Sequence, residues 1–168
     1  MALAPASAAQ PSSFVIQGDY KIAGYAVKKD GTLFGAIDEF GQPTSLRRGT
    51  GRRLRGWNAC VARWRDLGLR IVFYNLGGQD SCKPQHGAFR DAIIAGKQWR
   101  TSKGLRIGHP QRYILRYYRH ARPSPTRTWW SLVRRTVVYF DRPYGALSAK
   151  VMNGRVVAFQ VYYQAGGE

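Results

Sequence analysis

Apolar and polar positions alternate with period two along most of this chain, and two short stretches break into helical spacing. The segment from Phe14 to Val27 has strand character, with Tyr20, Ile22 and Tyr25 as its expected anchors. In "GTLFGAIDEFG", Leu33, Phe34, Ile37 and Phe40 fall on one face of a short helix that Asp30 is placed to cap and that Gly41 and Pro43 stop. A strand start at "TSL" runs into a loop with several arginines. Val61, Arg63 and Arg65 then alternate with Ala62, Trp64 and Asp66 up to a turn at Asp66-Leu67-Gly68, and Leu69, Ile71 and Phe73 continue the pattern. One more strand or strand pair is expected around Phe89–Ile94, with Gly96 as punctuation.

The order then restarts. Gly108-His109-Pro110 marks a helix entry, and Ile114, Leu115 and Tyr118 form the apolar side of the helix that follows. "TWWSLVRRTVVYF" reads as a strand broken by "DRPYG". The last strands form a hairpin: Leu147, Ala149 and Val151, an Asn153-Gly154 turn, then Val157, Phe159, Val161 and Tyr163. Helix followed by antiparallel strands thus occurs twice. This predicts an α+β fold of two tandem small repeats, each a short helix packed on an antiparallel β-sheet. The expected division is a disordered tail over 1–13, a first repeat over 14–98 and a second over 99–168.

Both cysteines fall around the first hairpin. A structural zinc site needs further His or carboxylate ligands, and among the histidines only His86 is near Cys82. The spacing is not that of a CxxC redox pair. A catalytic Cys–His pair stays compatible with the sequence, because spatial neighbours are not visible in it. The hairpin favours another reading. Its strands return Asn58 and Ala59 towards Asn75 and Leu76, and the loop at Gly77-Gly78 can bring Cys82 round to Cys60. A disulfide there implies an oxidising compartment, and so a secreted or cell-envelope protein. The small, uncharged start "MALAPASAAQPSS" reads equally as a linker after a signal-cleavage site and as a disordered tail.

Charge changes the picture of partners. Against 27 Lys and Arg stand 9 Asp and Glu, a formal net charge of +18, in a chain whose 44% hydrophobic content is that of a globular protein. Such a field draws polyanions: nucleic acid, anionic lipid surfaces or anionic wall polymers. No stretch approaches the roughly 20 apolar residues needed to span a bilayer as a helix.

Two basic stretches are candidate binding sites. The first is "RRGTGRRLRGW", with Arg47, Arg48, Arg52, Arg53 and Arg55 leading to Trp57. Guanidinium groups there offer bidentate phosphate contacts and the indole a stacking surface; the plainer alternative is a solvated connection. The second is a helix with Arg112, Arg116 and Arg119 opposite its apolar side, interleaved with Tyr113 and Tyr117. Trp129 and Trp130 are adjacent in a strand, so one of them faces outward. Enzymatic signatures are lacking: no Gly-x-Ser-x-Gly, His-Glu-x-x-His, Ser-x-x-Lys or phosphate-loop pattern occurs. Asp38 and Glu39 stand on different faces of their helix, and His109 reads as structural. No cofactor or metal is expected.

The stretches "GTLFGAIDEFGQPTSLRRG", "LGLRIVFYNLGG" and the terminal "NGRVVAF" resemble secreted actinobacterial proteins of unassigned function. More distantly, the chain is similar to the tandem-repeat fold of beta-lactamase inhibitor protein and the SmpA/OmlA envelope lipoproteins, whose helix exit is matched by Phe40-Gly41-Gln42-Pro43. The resemblance covers nearly everything from Val15 on, and its motifs are structural. It departs at two places. Each repeat of the inhibitor carries a disulfide, whereas here only the first has cysteines, and Gly108-His109 stands where second repeats often have Gly-Asp. No inhibitory loop residue matches, so inhibition of a beta-lactamase does not transfer. The expectation is a monomeric, non-enzymatic, secreted binding module, protein-binding or inhibitor-like, with non-specific polyanion binding as the alternative.

Overall fold

The computed structural model describes residues 11–27, 31–49, 58–75, 77–136 and 143–163. Strands dominate a mixed α+β architecture with two short helices. Eight strands form one sheet: β4 (Ser45–Gly49), β5 (Asn58–Trp64), β6 (Leu69–Asn75), β7 (Ala88–Ile94), β9 (Arg122–Pro123), β10 (Trp129–Thr136), β11 (Pro143–Met152) and β12 (Arg155–Tyr162). Their spatial order is β4-β5-β6-β7-β12-β11-β10-β9, so each half of the chain lays strands inward from one edge and the halves meet where β7 pairs antiparallel with β12. The expected segment Phe14–Val27 is not one strand. It folds into β1 (Val15–Gln17), β2 (Lys21–Ile22) and β3 (Tyr25–Ala26), which with β8 (Arg100–Thr101) make a second, four-stranded sheet.

Burial follows strand parity. Cys60, Ala62 and Trp64, then Leu69, Ile71 and Phe73, then Phe89, Ala92 and Ile94 all lie on one side of the large sheet and are buried. Val156, Phe159 and Val161 continue that side across β12, as do Leu147, Ala149 and Val151 across β11. The small sheet and helix α1 (Leu33–Phe40) cover it at one end: Phe40 meets Trp64 and Trp99 edge-on at 5.6 and 6.4 Å between ring centroids, and Tyr25 meets Phe89 at 6.1 Å. Two of the buried indoles satisfy their N–H groups on main-chain carbonyls, Trp64 on Gly41 and Trp99 on Leu67, each at 2.8 Å. Helix α2 (Arg112–Tyr117) closes the other end through Ile114, with Leu105 and Tyr118 beside it in the same core.

Several expected packing positions change. The cap of α1 is Thr32, whose hydroxyl accepts from the Gly35 N–H at 3.3 Å; Asp30 lies outside the described residues. Phe34 is 62% exposed, and the smaller Ala36 takes the inner position because the helix turns only its 33, 36 and 40 stripe fully inward. Leu115 is exposed, since a helix of six residues presents one inward turn, occupied by Ile114. Tyr20 is exposed while Ile22 and Tyr25 are buried. In the last hairpin a bulge at Lys150/Val151 shifts the parity, so that Val156 rather than Val157 lies inside with Phe159 and Val161.

Cys60 and Cys82 are joined by a disulfide, with 5.0 Å between Cα atoms and a sequence separation of 22. It ties β5 to the loop between β6 and β7. We predict that Cys60→Ala/Cys82→Ala loses about 3 kcal/mol of stability through the freed loop of the unfolded chain. Urea unfolding of the two proteins measures this, and a loss under about 1 kcal/mol would place the stability of this loop in its packing instead.

Candidate functional site

The side of the large sheet opposite the core is bare: among the described residues no element packs on it. Register assigns its occupants. Ser45, Arg63, Arg70, Ile93, Gln160 and Ser148 form one row from β4 to β11, and Arg47, Val61, Val72, Asp91 and Tyr162 form the next. These residues are half-buried or exposed.

A bulge between Val72 and Phe73 adds one residue to β7 and turns Arg90 onto this open face. Its guanidinium carbon lies 5.5 Å from the ring centroid of Tyr74 and 5.4 Å from that of Tyr162, so the cation sits between two phenols. Lys150 lies over Trp129 in the same way at 5.8 Å. Among the described residues that register places here, Asp91 is the one acid. Burial pushes its carboxyl above the usual range, against the pull of Arg70 and Arg90, and Arg70 Nη2 stands 3.6 Å from Oδ1.

The residues singled out from the sequence do not share one surface. Arg47 and Arg48 belong to edge strand β4 rather than to a loop, and point to opposite sides. Arg47 is on the open face. Arg48 is opposite Cys60 on the other side, where it forms an ion pair with Asp80, raising its own pKa through the hydrogen bond and lowering that of Asp80. Arg52, Arg53, Arg55 and Trp57 lie outside the described residues. Arg112 and Arg116 are exposed on α2, whereas Arg119 follows the helix end at Tyr118 and does not continue its face. Of the tryptophan pair, Trp130 is buried and Trp129 is half-buried on the open face. Among the described residues no three His, Cys, Asp or Glu side chains converge as metal ligands.

Sequence reasoning missed the Arg90 position and the packing of His109 against Tyr113 and Tyr117 beside α2. The first depends on a bulge, which changes parity without a residue signature. The second had a signal: no Asp or Glu occurs between Asp91 and Asp141, a stretch containing many Lys and Arg.

No family model matches the chain, and no curated protein matches it. A solved structure of an extracellular protein containing a SCP domain from Bacillus anthracis str. Ames is similar at 12% identity with a TM-score of 0.41. The match covers 96% of this chain and 48% of that one, so the chain spans about half the length of this neighbour. A likeness this low carries no argument about function.

The raised pKa of Asp91 gives a test of sheltering on the open face. The folded state holds this proton above the unfolded value of about 3.9, so ionisation costs stability as pH rises through that window. Relative to wild type, Asp91→Asn therefore gains stability from about pH 4 upward and levels off once the native carboxyl is ionised. Urea unfolding at several pH values measures the difference; a variant that loses stability over this range would show that Arg70 and Arg90 overcompensate the burial.

Proposed function

We propose that the protein is a secreted, non-enzymatic binding module that docks an acidic protein surface onto the open face of its large sheet. One observation carries this reading: among the described residues no element packs on the side of the sheet opposite the core, and Arg47, Arg63, Arg70 and Arg90 stand there among Tyr74, Tyr162 and Trp129, with Asp91 the one carboxylate that register places among the described residues of this face. The area fits. Eight strands at about 4.8 Å spacing and seven residues at about 3.3 Å rise give about 900 Å², close to the roughly 800 Å² of one side of a standard protein interface. The chemistry fits as well. Arg, Tyr and Trp are the residues that dominate interface energetics, and an arginine held between phenols loses little freedom when it meets a carboxylate.

The disulfide supports secretion, because such bonds persist in oxidising compartments. No helix among the described residues is long and apolar enough to cross a membrane. The division into two repeats, each with its helix, belongs to the same proposal, supported by a strand order that runs inward from both edges. A fold resembling that of beta-lactamase inhibitor protein makes an inhibitor-like role the natural form of docking.

The test is capture from secreted proteins by immobilised wild type and by Arg63→Glu/Arg90→Glu. Wild type is expected to retain an acidic protein that salt elutes, and the variant to hold it at least about tenfold more weakly, a loss of about 1.4 kcal/mol. Equal retention by both proteins removes the open face from the reading. If wild type retains nothing, the docking function itself fails.

A further inference from the structure

A second surface lies on the covered side of the sheet, at the end closed by α2. His109, Tyr113 and Tyr117 pack there as a ring cluster, with His109 edge-on to Tyr113 at 5.1 Å and parallel to Tyr117 at 6.0 Å. Arg112 and Arg116 bring their guanidinium groups to 5.7 and 5.6 Å from the Tyr113 centroid. Arg106 is exposed on the preceding turn. These residues are held by a rigid frame. The Gly108 N–H donates to Val156 O at 2.7 Å, the Val156 N–H to His109 O at 2.9 Å, and Arg155 Nη1 to Gly108 O at 3.0 Å. The Tyr117 ring rests against Gly104, where φ is +95° and an added Cβ would come within 3.2 Å of the ring.

The protonation of His109 follows from this frame. Its Nδ1 accepts the Arg106 N–H at 3.3 Å, which leaves Nε2 as the ring's N–H. Desolvation, and then Arg106, hold its pKa below the ordinary value, so at neutral pH it is an uncharged donor.

We propose that this surface binds single-stranded nucleic acid without sequence preference, its phosphates on Arg106, Arg112 and Arg116 and a base against the tyrosine–arginine stack. The ligand must carry negative charge, because the whole stretch from Asp91 to Asp141 holds no acid between those two to offset its cations. It must also carry planar groups, because rings and guanidinium planes side by side are stacking platforms that a plain phosphate polymer leaves unused. A single strand offers both, alternately, along one chain. Duplex readout does not suit a helix of six residues, which is too short to lie along a groove. The surface is on the other side of the sheet from the docking face, and so stands or falls independently of it.

The experiment follows fluorescence anisotropy of a labelled oligothymidylate, about 12 nucleotides long, titrated with the full chain across a sodium chloride series. Wild type binds with affinity that falls as salt rises. Arg106→Gln/Arg112→Gln/Arg116→Gln lowers the slope by about 2 units, at about 0.7 for each of the three phosphates released, and weakens binding at least about tenfold. Arg112→Lys/Arg116→Lys keeps the charge and loses the planes. It weakens oligothymidylate binding several-fold and leaves inorganic polyphosphate binding unchanged. Arg63→Gln/Arg90→Gln, on the opposite face, behaves as wild type. Three results overturn the proposal: a glutamine variant that binds like wild type, equal weakening by the opposite-face variant, or equal responses of oligothymidylate and polyphosphate to the lysine variant. The last would leave only a charge field acting on any polyanion. Near-ultraviolet circular dichroism confirms that each variant is folded, as expected with Arg63, Arg106, Arg112 and Arg116 exposed and Arg90 half-buried.

Discussion

The pairing of β7 with β12 is the constraint on which the rest depends. Strands from the two halves of the chain join there, with Ile94 opposite Phe159 and Ala92 opposite Val161, and all four side chains buried. Because strand side chains alternate between bulges, that register sets which side of β7 and β12 is apolar where they pair. A slip of one residue would carry Ile93 and Gln160 inward and turn Phe159 and Val161 into water. Two four-stranded halves, each with its own edges, thereby become one broad sheet with one buried side and one that no described element covers. At about 25 cal/mol per Å² of apolar surface removed from water, no alternative register can compete with a row of aromatic and branched side chains this long.

The legible part of the fold was whatever depended on local periodicity. The hairpin from Val61 to Phe73 appears with its turn at Asp66–Gly68, and Gly68 adopts the expected positive φ of +58°. The Asn153-Gly154 turn carries φ values of +50° and +69°, as a two-residue hairpin loop demands. The Cys60–Cys82 bond followed from the same hairpin geometry. What stayed hidden was non-local. That Phe14–Val27 would fold into three short strands and join β8 as a separate sheet depends on Val15 and Ile16 lying parallel to Arg100 and Thr101. Nothing near Val15 in the chain announces that contact. The helices misled for a related reason. Short amphipathic pieces such as α1 and α2 have stripes too brief to fix their rotation, and the sheet beneath decides whether Phe34 or Ala36 faces inward.

The candidate sites divide in the same way. Clustering arginines by proximity in sequence put Arg47 with Arg48 and Arg116 with Arg119, and strand parity or a helix end then separated each pair. Register instead puts Arg63 opposite Arg70, and the bulge in β7 adds Arg90, which acts on Asp91 as Arg70 does; the three come from segments that look unremarkable in isolation. Arg63 and Arg70 face one another directly across β5 and β6, like charges in a position that costs stability unless something compensates. Asp91, reached by Arg70 at 3.6 Å, supplies part of that compensation within the fold.

The few acids explain why so much positive charge remains on the surface. Glu39 Oε1 accepts from the Ser12 N–H, the Ser12 hydroxyl and the Gly24 N–H at 2.8, 2.7 and 2.9 Å, so this carboxylate is spent tying the start of the described chain to α1. Asp80 accepts from the Cys82 N–H at 3.1 Å while pairing with Arg48, and so orders the loop that the disulfide closes. Asp91 is enclosed between strands on the open face. Three of the acids are therefore committed to shaping the fold, each beside the groups it organises, and the sequence between Asp91 and Asp141, which contains α2, has none. A net charge of +18 spread evenly would act mainly on solubility. Here three of the acids sit where the backbone needs them, and the stretch between Asp91 and Asp141 brings none to the cations it carries.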